Sequence, residues 1–399
     1  MENFLNASEL VKDNINKLRK RVPHKLFNKN LPAEVEVNKF YLDGESVDRV
    51  MIVLRANGCE HYKKTGGCSM CSHYNGTIID DKITDENYKR QWNSILNSTC
   101  FEGINNFDLD NFPIVCIYNL GSLLNENEVS FNALRYIFST LNEYKNVKKV
   151  IIESRAEYVT REALSVIKEN FDGLIEVGIG VESTNDVIRE LCHSKGCKDI
   201  GIMKEAVEIL HEFNYKALAY VNFKPCFLTE RESIDDAIKT SVDCFNMKFD
   251  AVSIEPTSLQ EYSLTNHLNL MGYYRVPWLW SLSKIIHGIN DQIDTDKLDI
   301  RLGGYFDEEI LSGSQGEGFA GRNEIFPYKT SSNCSNCTPE FINHIKKFNT
   351  TYDVADLDSV EKCDCCYNLW ETCYNVEDSR SIPERIIDIL GDSYSNNIQ

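Results

Sequence analysis

Seven short apolar runs, separated by amphipathic stretches, constrain the fold of this chain more than any other feature. The runs cover residues 50–54, 114–119, 149–153, 174–181, 217–222, 251–254 and 298–302. Short, nearly continuous apolar runs describe strands covered on both faces. Helical spacing of apolar residues marks the intervening stretches 86–96, 128–141, 161–169, 204–213, 233–245 and 277–289. Strands and helices taking turns predict the α/β class and a parallel sheet, here a partial (β/α)6 barrel of the TIM type. Such a barrel carries its chemistry at the C-terminal ends of its strands. The residues just after each run are therefore the candidates to read.

The flanking segments have a different texture. Leu5, Leu10, Val11, Ile15 and Leu18 recur at near-helical spacing, so residues 1–45 read as a helical N-terminal extension and 46–302 as the barrel. Glycines from Gly303 and Gly304 through Gly313, Gly316, Gly318 and Gly321 open a loop-rich stretch. A cysteine-bearing module over 303–380 follows, and the polar end of the chain makes 381–399 a frayed tail. The net charge of −19 argues against a broad positive field for nucleic acid but leaves room for a local basic groove. Fifteen cysteines without an apolar leader or an 18-residue apolar run point to a cytoplasmic chain, not a membrane one, whose cysteines serve metal or redox chemistry.

Three of those cysteines share one loop after the first predicted strand: Cys59, Cys68 and Cys71, with Gly58, Gly66 and Gly67 among them. A four-iron cluster normally takes four thiolates. Three leave one iron open, where the amino and carboxylate groups of S-adenosylmethionine (SAM) can chelate. The alternative is zinc, with His61 or His73 as fourth ligand.

Later strand ends add polar groups in order. The second run leads into Gly121 and Ser122, a small-residue turn whose carbonyls suit an ammonium group. The third ends at Glu153, which suits ribose hydroxyls or, more plainly, a surface ion pair. The fourth leads to Glu182, and thirteen residues on stands Lys195, a pair suited to a ribose and a carboxylate. Each has a bland alternative; the weight lies in their succession along the strands.

With these residues in place the chain resembles the radical SAM superfamily, in the branch near the elongator catalytic subunit and the oxygen-independent coproporphyrinogen oxidase. The stretch 178–189, Gly-Ile-Gly-Val-Glu-Ser-Thr-Asn-Asp-Val-Ile-Arg, with Lys195 and Gly196 after it, is similar to that branch's signature. Residues 224–230, Lys-Pro-Cys-Phe-Leu-Thr-Glu, and 274–281, Tyr-Arg-Val-Pro-Trp-Leu-Trp-Ser, are similar to segments of the archaeosine-forming radical SAM family. The resemblance covers residues 45–375. It implies a [4Fe-4S] cluster on Cys59, Cys68 and Cys71, and SAM held by Gly121 and Ser122 at its amino group, Glu153 and Glu182 at its ribose and Lys195 at its carboxylate. It also implies a lyase that acts on a lysine adduct of a deazaguanine base in tRNA and leaves the formamidine of archaeosine. A partner enzyme that supplies the adduct and an electron donor would accompany it. Two positions depart from the family pattern: Cys226 stands where the family has proline, and Glu255 where it has asparagine.

The second cysteine group has the shape of a structural zinc site, with four ligands among Cys334, Cys337, Cys363, Cys365 and Cys366. Whether Cys365 or Cys366 completes it stays open, as does an auxiliary iron–sulfur cluster in place of zinc; Cys373 reads as a spare. Trp278, Trp280 and Trp370 read as core. Two other functions remain: the same radical machinery on a protein, lipid or small molecule, or a zinc-stabilised tRNA or protein adaptor without catalysis.

Overall fold

The computed structural model describes residues 2–391 apart from 24, 43–44, 79–80, 99, 102–103, 106, 198, 294–297 and 304–327. The expected glycine-rich stretch beyond Gly303 and the last eight residues lie outside these. Helix α1 (Glu2–Arg19) leads into an antiparallel hairpin of β1 (Glu34–Leu42) and β2 (Glu45–Val53). Next come α2 (Glu60–Thr65), α3 (Asp85–Leu96), β3 (Ile114–Tyr118), α4 (Phe131–Leu141), β4 (Lys149–Ser154), α5 (Arg161–Lys168), β5 (Leu174–Gly180) and α6 (Gly201–Glu212). The barrel finishes with β6 (Lys216–Phe223), α7 (Glu230–Asn246), β7 (Ala251–Pro256), α8 (Leu264–Leu270), α9 (Trp280–Asn290) and β8 (Asp299–Leu302). Helices α10 (Cys337–Thr351), α11 (Cys366–Tyr374) and α12 (Ile382–Leu390) end the described chain.

The sheet runs β1 through β8 in sequence order, with β2 to β8 all parallel. That is the expected partial barrel, with β8 adding a parallel strand beyond six. Its curl is visible at the two edges, where the Arg301 guanidinium of β8 lies 5.4 Å from the Phe40 ring of β1.

The strands alternate more than their sequence suggests. Val115, Ile117, Val150, Ile152, Val177, Ile179, Ala219, Val221, Val252 and Ile254 pack outward under the helices. The inner face is small or polar toward its C-terminal end, and Ile114, Cys116 and Ile151 fill its floor with Phe40. At the opposite rim Glu176 is clamped by Lys149 at 2.7 Å and by both terminal nitrogens of Arg301 at 2.7 and 3.0 Å. Burial alone would raise the Glu176 carboxyl, yet Arg301 and Lys149 hold it down to about 2.

Two expectations are corrected. The extension over 1–45 is not wholly helical: residues 34–42 form β1, where Val35 and Val37 alternate with Glu34 and Glu36 at the period of a strand. Residues 382–390 are not a frayed tail. Ser381 and Glu384 form a capping box with Pro383 in the first turn, and buried Ile386 and Leu390 join Ala7, Val11, Ile15 and Leu18 of α1 in one apolar cluster. The cysteine-bearing segment also shares the barrel's core. Phe341, Ile345, Phe348 and Trp370 are buried in it, and Asn349 exchanges two 2.9 Å hydrogen bonds with the backbone of Leu302. Trp278 and Trp280 are buried as expected. Among the described residues no helix is long and apolar enough to cross a membrane.

Candidate active site

The three-cysteine loop lies over the C-terminal end of β2. Cys59 immediately precedes α2, and Gly66 (φ 90°) and Gly67 (φ 85°) turn the chain back in a left-handed conformation that side chains resist. The loop is fixed from outside by Arg19, the last residue of α1. This buried guanidinium donates to the backbone oxygens of Gly66 at 3.1 Å, Cys68 at 3.0 Å and Tyr262 at 2.8 Å, and also to that of Cys71. Burial lowers its pKa and the nearby Cys71 and Cys68 sulfurs pull it back. Glu128 repels negative charge on Cys59 more than Arg155 attracts it, while Arg155 and Lys195 both favour it on Cys68. Burial pushes the thiols of Cys59 and Cys71 up to about 11 and 12, so thiolates here need a metal.

The proposed fourth ligands are engaged or buried. His61 Nε2 lies 2.9 Å from the Ser194 oxygen, and burial takes both His61 and His73 down to about 4.

Glu128 binds the cysteine loop to the turn after β3. It accepts from the backbone of Glu60 at 2.9 Å and of Ser122 at 2.6 Å, and from the side chains of Asn125 at 3.0 Å and Asn119 at 3.3 Å. Gly121 sits against it so closely that a Cβ would lie 2.0 Å from the Glu128 carboxylate and 3.3 Å from Cys59 Cα. Ser122 Oγ accepts from the Arg155 backbone at 3.2 Å, and the Leu123 backbone donates to Glu153 at 2.9 Å, joining this turn to the end of β4. Among the described residues Asn119 Oδ1 is a buried acceptor without a partner, pointing to a donor that the protein itself does not supply.

The remaining predicted residues meet over the inner face. Glu182 and Lys195 form a buried ion pair at 2.7 Å, and both close on Gly180, where a Cβ would lie 2.4 Å from Lys195 Nζ. Burial pushes Glu153 up to about 7, against the pull of a hydrogen bond from Tyr220 and with Glu255 and Glu182 adding repulsion. Leu120, Glu182 and Lys224 follow β3, β5 and β6, and all three have positive φ (59°, 63° and 61°). Non-glycine residues in that region mark strain that concentrates at functional sites. Asn119, Glu128, Tyr220 and Arg19 were not singled out by the sequence reading. Nothing local marks Glu128 as a collector of backbone donors or Arg19 as buried.

The two long signature segments form one hydrogen-bonded unit beside this site. Tyr274 donates its hydroxyl to the Lys224 oxygen at 2.7 Å, and Lys224 pairs with Glu230 at 2.5 Å. Glu230 accepts from Ser281 at 2.6 Å, whose oxygen accepts from the Trp370 indole at 2.9 Å. Cys226 is buried behind the cysteine loop, where its Sγ and the Ser69 hydroxyl both reach the Cys192 oxygen.

At the far side the sulfurs of Cys334, Cys337, Cys363 and Cys366 all lie within 4.8 Å of one another. Among the described residues no other group of three or more such ligands, the Cys59 trio included, is gathered as a single-ion site. Cys334 and Cys363 stand 3.8 Å apart, the edge of about 3.8 Å that a tetrahedron with zinc–sulfur bonds of about 2.3 Å requires, and Cys363 and Cys366 stand closer, at 3.2 Å. The Trp280 indole donates to Cys366 Sγ at 3.3 Å. Cys365 is exposed and Cys373 half-buried, and both lie outside the group.

The fold and the site together define an α/β partial barrel whose curled parallel sheet carries a three-cysteine loop over one strand end and polar residues over the next ones. No protein-family model matches the chain. An uncharacterized protein of Methanocaldococcus jannaschii is 31% identical over 386 residues, 94% of this chain and 97% of that one. Archaeosine synthase subunit beta of Thermococcus kodakarensis is 33% identical over 248 residues, 61% of this chain and 72% of that one. The subunit of the same name from Methanosarcina acetivorans is 27% identical over 367 residues, 90% and 95% of the two chains. The chain belongs to the archaeosine synthase subunit beta family.

Proposed function

We propose that this chain is the radical-generating subunit of an archaeosine synthase, a lyase acting on a lysine adduct of a deazaguanine base in tRNA. Cys59, Cys68 and Cys71 would hold a [4Fe-4S] cluster. Gly121 and Ser122 would hold the SAM amino group, Glu153 and Glu182 its ribose, and Lys195 its carboxylate. Bound there, the cluster and SAM would supply radical chemistry for removing a hydrogen from the lysine part of the adduct. A partner subunit, in keeping with the relatives' name, would supply the adduct, and an external donor the electron.

The observation that carries this reading is the charge around the loop. The buried cations Arg19, Arg155 and Lys195 act on its thiols, which are not gathered for a single ion. A cluster suits both facts, because it spreads its thiolates over separate irons and brings negative charge. The protein's own share of the work is positional. Glu128 keeps the Gly121 turn against the cysteine loop, the unpaired Asn119 oxygen awaits a donor such as an ammonium, and Lys195 offers a buried positive charge for a carboxylate. The four C-terminal cysteines we assign to a structural zinc, because four thiols converge within 4.8 Å of one another with no other donor needed to complete the set.

Anaerobic reconstitution tests the assignment. The wild type is expected to show absorbance near 400 nm and to form deoxyadenosine, and Cys68→Ala to lose deoxyadenosine formation while keeping its circular dichroism. Deoxyadenosine formation by the variant would overturn the ligand set. With the tRNA adduct deuterated on its lysine side chain, deuterium should appear in deoxyadenosine; its absence would overturn the substrate.

A further inference from the structure

An acidic chain carries one strongly basic hollow, and it borders the cysteine loop. Residues 11–30 hold seven Lys or Arg and a single acidic residue, Asp13, in a chain of net charge −19. The end of α1 and the end of α2 converge on a hollow of about 850 Å³. Lys17 and Lys20 line it from one side and Lys63 and Lys64 from the other, with Asp13 at its margin. All four lysines are exposed. A helix C-terminus favours cations by itself, which accounts for a lysine or two on each helix. It does not account for two helix ends directing their lysines into one shared hollow, where repulsion disfavours them unless an anion occupies it.

The floor defines the mode of recognition. Tyr62 and Tyr74 stack at 3.5 Å with planes 13° apart, and Arg19 lies 5.1 Å from the Tyr62 ring. These rings are already occupied, so the hollow offers charge but no free ring for a base. Lys64 is partly neutralised by Glu60 at 2.5 Å, which leaves Lys17, Lys20 and Lys63 as the main uncompensated charges.

We infer that this hollow is where the substrate RNA docks, through its phosphate backbone and without reading its sequence. The inference rests on the tRNA reading above and adds to it a place. The backbone of Gly66 both lines the hollow and is tied through Arg19 to the oxygens of Cys68 and Cys71. A polyanion seated there lies one layer of chain from the candidate cluster.

The test is binding of a fluorescein-labelled tRNA transcript to the full chain, read by anisotropy across a salt series. In K17A/K20A/K63A, three lost phosphate contacts should flatten the salt dependence by roughly 2 to 3 in log–log slope. At about 0.15 M salt the same relation gives a loss of affinity of roughly 50- to 150-fold. Deoxyadenosine formation without RNA should be unchanged, because none of the three lysines touches the strand-end residues. Equal tRNA binding by the wild type and the triple variant would overturn the hollow alone. A wild type that fails to bind tRNA even at low salt would overturn the tRNA reading and this inference together. A triple variant that keeps tRNA but loses the partner subunit would reassign the hollow to an acidic protein surface and so overturn the RNA site.

Discussion

Replacing Arg19 by methionine should disable the candidate cluster site without unfolding the barrel. The side chain is buried, and its guanidinium serves four backbone oxygens, three of them in the loop that carries the cysteines. Methionine fills a similar volume but donates nothing, so those oxygens lose their partner where water has little access. At about 1 kcal/mol net for each of the three bonds to the loop, the loss there is about 3 kcal/mol. That is a shift of about 150-fold toward an open loop. The cost falls on one loop, because the apolar side of α1 still packs on α12. The assay is iron and sulfide content per chain after anaerobic reconstitution, beside circular dichroism and absorbance near 400 nm. R19M should keep its dichroism and lose most of its iron, while R19K, with one ammonium in place of a forked donor, should fall between. A methionine variant that binds iron as fully as the wild type and forms deoxyadenosine at the same rate would refute the reasoning.

Two further outcomes follow from the same interactions. Burial works against the Glu176 carboxyl but Arg301 and Lys149 hold it at about 2 in the fold against an ordinary 4.5, so its contribution of about 3 kcal/mol is present above about pH 4.5 and disappears as pH falls toward 2; urea melts of wild type and Glu176→Gln should therefore differ by that amount at pH 7, by less than half of it near pH 3, and converge only as pH approaches 2. On the proposed assignment, chelating a metal from the four-cysteine site, or Cys337→Ser, should shift tryptophan emission to the red, since the Trp280 indole donates to Cys366 Sγ, and should leave iron reconstituted on the Cys59 loop in place; loss of both metals together would contradict two independent sites.

The barrel was legible because its signal is local. Runs such as 114–119 and 149–153 lie within a residue of β3 and β4, and the helices between them are amphipathic enough to declare themselves. What escaped depends on contacts across long stretches of sequence. Strand β1 alternates weakly, and its glutamates hide the pattern until Phe40 is seen beneath the sheet. Helix α12 is short and amphipathic, and its apolar side has meaning only once α1 is opposite it. In the site, the cysteines were conspicuous by spacing, and the strand-end rule singled out Gly121, Ser122, Glu153, Glu182 and Lys195. Glu128 and Arg19 were not, because a carboxylate that collects backbone donors and a guanidinium that collects carbonyls carry no local mark. The polar lining of the inner face was less legible, since in β5 only Glu176 shows it while Gly178 and Gly180 present no side chain at the other inward positions.

The pairing of residues 2–19 with 382–390 joins two segments more than 360 residues apart in sequence. Arg19 ends the first of them, so its hold on the cysteine loop leans on a contact made by the far end of the described chain. Cutting the chain before residue 382 is therefore expected to loosen that loop before it disturbs the sheet, a local opening that hydrogen exchange at residues 66–71 would register.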